Sequence, residues 1–519
     1  MKNKQSVLQG AVLLSLAALI AKVLSAVYRV PLENFVGNTG FYVYQQVYPI
    51  YGIGMTFALN GLPVFISKIV AEQPTIAEQQ AVARRLFKGL TILGVGLFAL
   101  VYLTSGIMAN GMGDGQLAPI LRSVSWMFLC LPILSVGRGL AQGQMNMVPT
   151  ALSQVSEQVV RVVIIIVVAY LAMRQHWNVY FMGMWAMASA PIAGIVASLF
   201  FVKTTHTYLQ QPSTPAVQKV RLWPRLWTEG MLISAVAALL IMLQLIDSFT
   251  VKHGLTQFGM SSLAAKNAKG IYDRAQPLVQ LGLVVATGFG TSLLPNLRQA
   301  FLQAKIAQMQ AMIQTLLRLS LWLASAATVG LIALMPQINQ LLFGSRDYSQ
   351  VLSVYMVSVI AMSFVMMLAS VLQSIDRYQV LVAGIVVALL SKALLNVWWL
   401  RSFGLMGASW ATVVALVLMV IVIWLQLQPS LRQNLFGKKF IGQLTASLLI
   451  MAIFVILIAH GLEYLYGTGR GLTVITIIVG MLVGVASMLI LTVKWHMLAE
   501  NELLMLPKGE RLVALLTRK

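Results

Sequence analysis

Loops divide the sequence into apolar stretches long enough to cross the roughly 30 Å hydrocarbon core of a bilayer, which takes about 20 helical residues. Fourteen such stretches centre on 7–28, 41–67, 89–108, 121–143, 150–173, 180–203, 229–251, 270–297, 312–335, 350–373, 380–400, 404–427, 440–463 and 472–495. In lipid every backbone N–H and C=O must be satisfied within the chain, so segments of this length fold as helices and not as open strands. The expected fold class is therefore an all-α polytopic membrane protein with 14 transmembrane helices. Composition agrees: 59% of the 519 residues are hydrophobic, only 10% are charged, and the mean hydropathy is +0.83. A soluble domain carries about 25% charged residues, so a soluble enzyme is excluded. The first stretch reads as a retained helix 1, because it holds Lys22, runs straight into Tyr28-Arg29-Val30-Pro31 and lacks a small-residue cleavage site. Cys130 is the single cysteine; it makes no internal disulfide and reads as a small buried side chain.

Lys and Arg number 36 against 14 Asp and Glu, a net charge of +22. Cations collect in cytoplasmic loops. With the N-terminus inside, 23 of the 36 fall on its side, among them Arg84, Arg85, Lys88, Arg138, Lys438 and Lys439, and 10 fall on the other. That distribution predicts a multi-pass protein of the bacterial plasma membrane with both termini cytoplasmic. Most of the surplus is thereby topology, and no nucleic-acid partner is needed to explain it.

The chain also resembles itself. YQQVYPIYGIGMTFA from Tyr44 aligns with YDRAQPLVQLGLVVA from Tyr272, pairing Tyr44 with Tyr272, Pro49 with Pro277 and Gly54 with Gly282. The segment from Leu140 aligns with that from Val371 at nearly the same offset, pairing Gln142 with Gln373 and Arg161 with Lys392. Two six-helix pseudo-repeats plus two C-terminal helices make a transporter architecture. The expected division is a half over 1–203, a cytoplasmic linker over 204–228, a half over 229–427, and helices 13 and 14 with a tail over 428–519.

Ionisable residues inside spans cost about 2.5–3.5 kcal/mol each at a helix centre and face a cavity or a partner. Here they are Lys22 and Arg29 on helix 1, Glu157 and Arg161 on helix 5, Asp247 and Lys252 on helix 7, Lys269, Asp273 and Arg274 on helix 8, and Lys392 on helix 11. Glu157 and Arg161 are spaced i, i+4 and are expected to form a structural ion pair. Asp273 and Arg274 are adjacent, so they point in different directions. Helices 1, 7 and 8 carry five cations against two acids. A wall of that sign attracts anions, and the planar fork of Arg suits phosphate oxygens.

The run GAVLLSLAALIAKVLSAVYRVPLENFVGNTGFYVYQQVYPIYGIGMTFALNGLPVFISKIVAE resembles the MurJ-like and SpoVB-like polysaccharide flippases of the multidrug/oligosaccharidyl-lipid/polysaccharide exporter superfamily. GRGLAQGQMNMVPTALSQVSEQVVRV and YDRAQPLVQLGLVVATGFGTSLLPNL are similar to the same group. The resemblance implies alternating-access translocation of lipid II, or of another undecaprenyl-diphosphate-linked sugar, between leaflets, with membrane lipids and cell-wall synthesis proteins as partners. It places the diphosphate on Lys22, Arg29 and Arg274. Asp273, Lys269, Lys252, Gln45 and Tyr48 then support the cavity. The family's additional cation on helix 2 is absent from YPIYGIG, so contacts there fall to Tyr44, Gln45, Gln46 or Tyr48. The resemblance also implies no organic cofactor but a sodium ion, for which Asp247 and Asn396 offer hard oxygen ligands, although Leu400 stands where an acid is expected.

No GxxxxGK[ST] phosphate loop occurs. A multidrug exporter of the superfamily would want acidic cavity residues for organic cations. A glycosyltransferase would want paired carboxylates in its outer loops, where Glu33, Asp114, Asp347 and Glu463 are scattered.

Overall fold

The computed structural model describes residues 2–210, 221–287, 294–303, 305–375, 377–432 and 435–504, and every regular element among them is a helix. Twelve described segments are long and apolar enough to cross a membrane. Two local features separate this count from the fourteen stretches of the sequence. The first two stretches join in one run, Leu13–Ala71, of 59 residues. The eighth breaks at Arg274 into the helices Ser262–Asp273 and Ala275–Thr287, each too short to span alone, and 288–293 lie outside the described residues.

The long first run is interrupted where its residues demand it. Lys2–Val27 ends at Tyr28, and Arg29–Thr56 follows with a break at Gly37, whose φ of 68° suits a residue without a Cβ. A π-helical turn over Phe57–Gly61 then leads into Leu62–Ala71, with Pro63 in the first turn, where a missing N–H costs nothing. From Gly40 to Thr56 nearly every residue is buried, including Tyr42, Tyr44, Gln45, Gln46, Tyr48 and Tyr51. A helix covered on all sides is a core element, and this one carries the polar and aromatic groups of the first unit into its centre.

The chain forms two compact units, Met1–Asp273 with Asn396–Gly404, and Arg274–Leu395 with Leu405–Lys519. This division does not fall at 204–228. The helices Met231–Gln257 and Ser262–Asp273 pack on Arg29–Thr56 and belong to the first unit. Of the expected linker, 204–210 continue the helix Val202–Gln210, and 211–220 lie outside the described residues. The packing is close: a Cβ on Gly270 would lie 2.3 Å from the Asn38 carbonyl oxygen, an approach that small residues permit in membrane bundles.

In the second unit Ile306–Ala333 packs on Ser358–Ser374 and on Lys438–Tyr466, which in turn packs along Arg470–Lys494. Leu319, Trp322, Phe440, Leu444, Met451 and Met488 form the shared core, so the last two helices are integral to this unit. Their other faces leave Ile453, Phe454, Leu457, Met481, Leu482 and Val485 uncovered. An apolar surface of that kind marks contact with lipid tails.

Candidate functional site

Arg29 opens its helix immediately after the break at Tyr28, and its side chain is 0% exposed. Its guanidinium stands 4.4 Å from the centre of the Tyr48 ring and against the Tyr28 and Tyr48 hydroxyls. None of its three nitrogens has a partner in hydrogen-bonding geometry among the described residues. The surrounding wall is aromatic. Tyr28 and Tyr44 share a hydrogen bond of 2.8 Å between hydroxyls, Tyr44 lies 6.2 Å from Tyr48, and Tyr48 lies 5.6 Å from Tyr51. Helical spacing explains the group, because residues 44, 48 and 51 recur at i, i+4 and i+7 on one face.

Glu157 and Arg161 are both buried, but they do not form the ion pair that their spacing suggests. The Glu157 carboxylate accepts from Arg138 Nη2 at 2.6 Å, and Arg138 also donates to Ser153 Oγ and the Ala58 carbonyl. Arg161 Nη2 donates to Gln158 Oε1 at 2.9 Å, and its guanidinium lies between the rings of Tyr51 and Tyr28. Spacing on one helix states which side chains share a face; a cation from Leu131–Gly143 is what takes the acid. Arg138, counted above as a loop cation, is fully buried. Its place inside the stretch 121–143 is the signal that could have revealed it.

The remaining first-unit candidates are spread out. Lys22 is exposed on Lys2–Val27. Lys252 donates to the Gly113 carbonyl at 2.7 Å. Lys269 pairs with Asp273 one turn further along the same helix. Gln45 is buried with its side-chain oxygen unpartnered, while Gln46 donates to the Ser248 carbonyl. Asp247 accepts from Asn396 Nδ2 at 2.8 Å and from the Tyr272 hydroxyl at 3.2 Å. Asn396 Nδ2 also reaches Thr250 Oγ1 at 2.8 Å, and the Asn396 carbonyl oxygen is buried without a donor. A carboxylate, an amide oxygen and a hydroxyl are the ligand types of a hard cation, but the Asn396 amide turns its NH2, not its oxygen, toward Asp247 and Thr250. Leu400 packs against Gly254 instead of supplying a further oxygen.

Arg274 begins the second unit. It donates to Asn339 Oδ1 at 2.8 Å and Ser345 Oγ at 3.0 Å, with Phe343 beneath it. Asp273 and Arg274 thus engage different partners, as adjacency on a helix requires. Lys392, the repeat counterpart of Arg161, is buried and donates to Thr412 Oγ1 and the Ala408 carbonyl.

A further polar group had no sequence signal beyond its scattered charges. Asp114 pairs with Lys266 at 2.8 Å and accepts from the Tyr180 hydroxyl at 2.9 Å, and Lys266 reaches Tyr180 at 2.6 Å. Partial burial opposes the Lys266 charge, but the carboxylate and the hydroxyl outweigh it and hold the ammonium above the usual lysine pKa.

Comparison with known proteins bears on the family and the fold. The chain is 32% identical to the Bacillus subtilis membrane protein YabM over 98% of its own length and 97% of that protein's. It is 27% identical to stage V sporulation protein B (81% and 83% covered) and 24% identical to the lipid II flippase MurJ (78% and 79%), both of Bacillus subtilis. A structure of lipid II flippase MurJ in an inward closed conformation superposes with a TM-score of 0.70 at 14% identity, over 93% of this chain and 99% of that one. Residues 7–301 match the model of the family described as polysaccharide biosynthesis protein. The chain is therefore a multi-pass membrane protein that belongs to the polysaccharide biosynthesis protein family and is similar to MurJ and to stage V sporulation protein B.

Proposed function

We propose that this protein is a flippase that carries lipid II from the inner to the outer leaflet of the bacterial plasma membrane by alternating access. The observation that carries the reading is Arg29, a fully buried guanidinium among tyrosines whose three nitrogens have no partner in hydrogen-bonding geometry among the described residues. Such a group is costly unless an anion completes it, and phosphate oxygens match its fork. Arg29 and Lys22 take the diphosphate on this reading, Asp273, Lys269, Lys252, Gln45 and Tyr48 support them, and the polyprenyl chain stays in lipid. On this reading both termini are cytoplasmic, and no covalent step is involved. Cell-wall synthesis proteins act on either side of the step.

The test is replacement of the essential lipid II flippase in a bacterium from which it can be depleted. Restored growth, with lipid II reaching the outer leaflet, is the expected result. Lipid II still trapped inside overturns the assignment of substrate. The relation to stage V sporulation protein B, as well as to MurJ, favours a second reading for that outcome, in which another undecaprenyl-diphosphate oligosaccharide is the cargo.

Asp247 and Thr250, with the Asn396 amide turned over, would hold a sodium ion, whose charge would offset the carboxylate. Sodium, compared with choline at equal ionic strength, is expected to raise the melting temperature of the purified protein. Asp247→Asn should abolish the increment, and an unchanged increment in that variant removes the site.

A further inference from the structure

We propose that Arg161 is a second cationic ligand beside Arg29, so that the two guanidiniums together hold the two phosphates of one diphosphate. The proposal rests on the reading of Arg29 as a headgroup ligand and extends it to a residue whose spacing assigns it to an ion pair. Arg161 is 1% exposed. With Glu157 engaged by Arg138, its Nη2 donates to the neutral Gln158, and its Nε and Nη1 have no acceptor among the described residues.

The tyrosines join the two cations into one site. Tyr51 and Tyr28 flank Arg161 at 4.5 and 5.1 Å, while Tyr48, packed on Tyr51, lies under Arg29. Ring faces stabilise the charge of a guanidinium but leave its in-plane N–H groups unsatisfied. Five arginine nitrogens, together with the unpartnered Tyr51 hydroxyl, therefore face a common need for acceptors, and the positive charge is double. Other buried cations of this chain are provided for: Arg138 by Glu157 and Ser153, Lys392 by Thr412 and a carbonyl. A monophosphate matches one fork, whereas a diphosphate presents two anionic groups bridged by one oxygen and matches both.

The test uses the purified full chain in detergent, with farnesyl diphosphate, farnesyl monophosphate and inorganic pyrophosphate as probes, and compares Arg29→Gln, Arg161→Gln and Arg161→Lys. Wild type is expected to prefer farnesyl diphosphate over the monophosphate by about tenfold or more, the worth of one charge-assisted hydrogen bond. Arg161→Gln should lose that preference, Arg161→Lys should keep part of it, and Arg29→Gln should weaken both lipids. The unliganded melting temperature of Arg161→Gln should not fall, since the change removes a buried charge without a counter-ion. Wild-type preference in Arg161→Gln, with binding lost in Arg29→Gln, overturns the role of Arg161 and leaves the headgroup reading standing. Undiminished binding in both variants overturns that reading as well. A lowered melting temperature in Arg161→Gln and Arg161→Lys alike, with preference intact, makes Arg161 a structural residue. Pyrophosphate binding as tightly as farnesyl diphosphate overturns a lipid ligand in favour of a soluble diphosphate.

Discussion

Glu157→Ala is expected to destabilise the protein by about 3–5 kcal/mol, the cost of leaving one member of a buried ion pair without its partner. The Arg138 guanidinium has no route to water, since it is fully buried and its other acceptors, Ser153 Oγ and the Ala58 carbonyl, are neutral. Removing both charges should behave differently. Arg138→Met combined with Glu157→Leu is expected to recover most of the loss, because exchanging a buried pair for packed apolar side chains is often neutral or stabilising. Denaturant unfolding followed by tryptophan fluorescence measures both variants. Wild-type stability in Glu157→Ala contradicts the Arg138 pairing, and a loss in Arg161→Ala equal to that in Glu157→Ala would favour the pairing suggested by sequence.

The second large effect has the opposite signature. Arg29→Gln is expected to slow lipid II translocation by about 100-fold, since truncating one side of a desolvated charge contact costs about 2–5 kcal/mol and each 1.4 kcal/mol is tenfold. Its unfolding stability should stay level or rise, because an uncompensated cation leaves a buried tyrosine cluster. Appearance of a fluorescent lipid II derivative on the far face of proteoliposomes gives the rate. A wild-type rate in that variant removes Arg29 from headgroup binding. Side by side, Glu157 and Arg29 separate a charge that holds the helices together from one held ready for a ligand.

The membrane class, the helical fold and the family resemblance were legible in the residues, and for a physical reason. Lipid admits few solutions for a long apolar segment, so hydropathy alone decides helix. Arg29, Arg274 and Asp247 were recognisable because a charge inside an apolar stretch is costly wherever the helix packs. The adjacency of Asp273 and Arg274 also foretold their divergence, since neighbouring positions on a helix cannot share a direction.

Partner choice was not legible. The i, i+4 spacing of Glu157 and Arg161 put both on one face, and only the packing of Leu131–Gly143 against that face brought Arg138 to the acid. Likewise, the positive-inside count treated Arg138 as topology, because a residue near the end of a stretch looks the same whether it meets headgroups or a buried carboxylate. Tyr44 and Tyr48 read as headgroup contacts; that this tyrosine face meets two guanidiniums from separate helices depends on the break at Gly37, which lies between Arg29 and Tyr48, and on how Val148–Gln175 lies beside it. The sequence by itself determined solvent, secondary structure and the sign of the charge. Tertiary structure decided which cations are neutralised and which are left wanting an anion, since in a low-dielectric interior that outcome rests on contacts of a few ångströms between helices far apart in the chain.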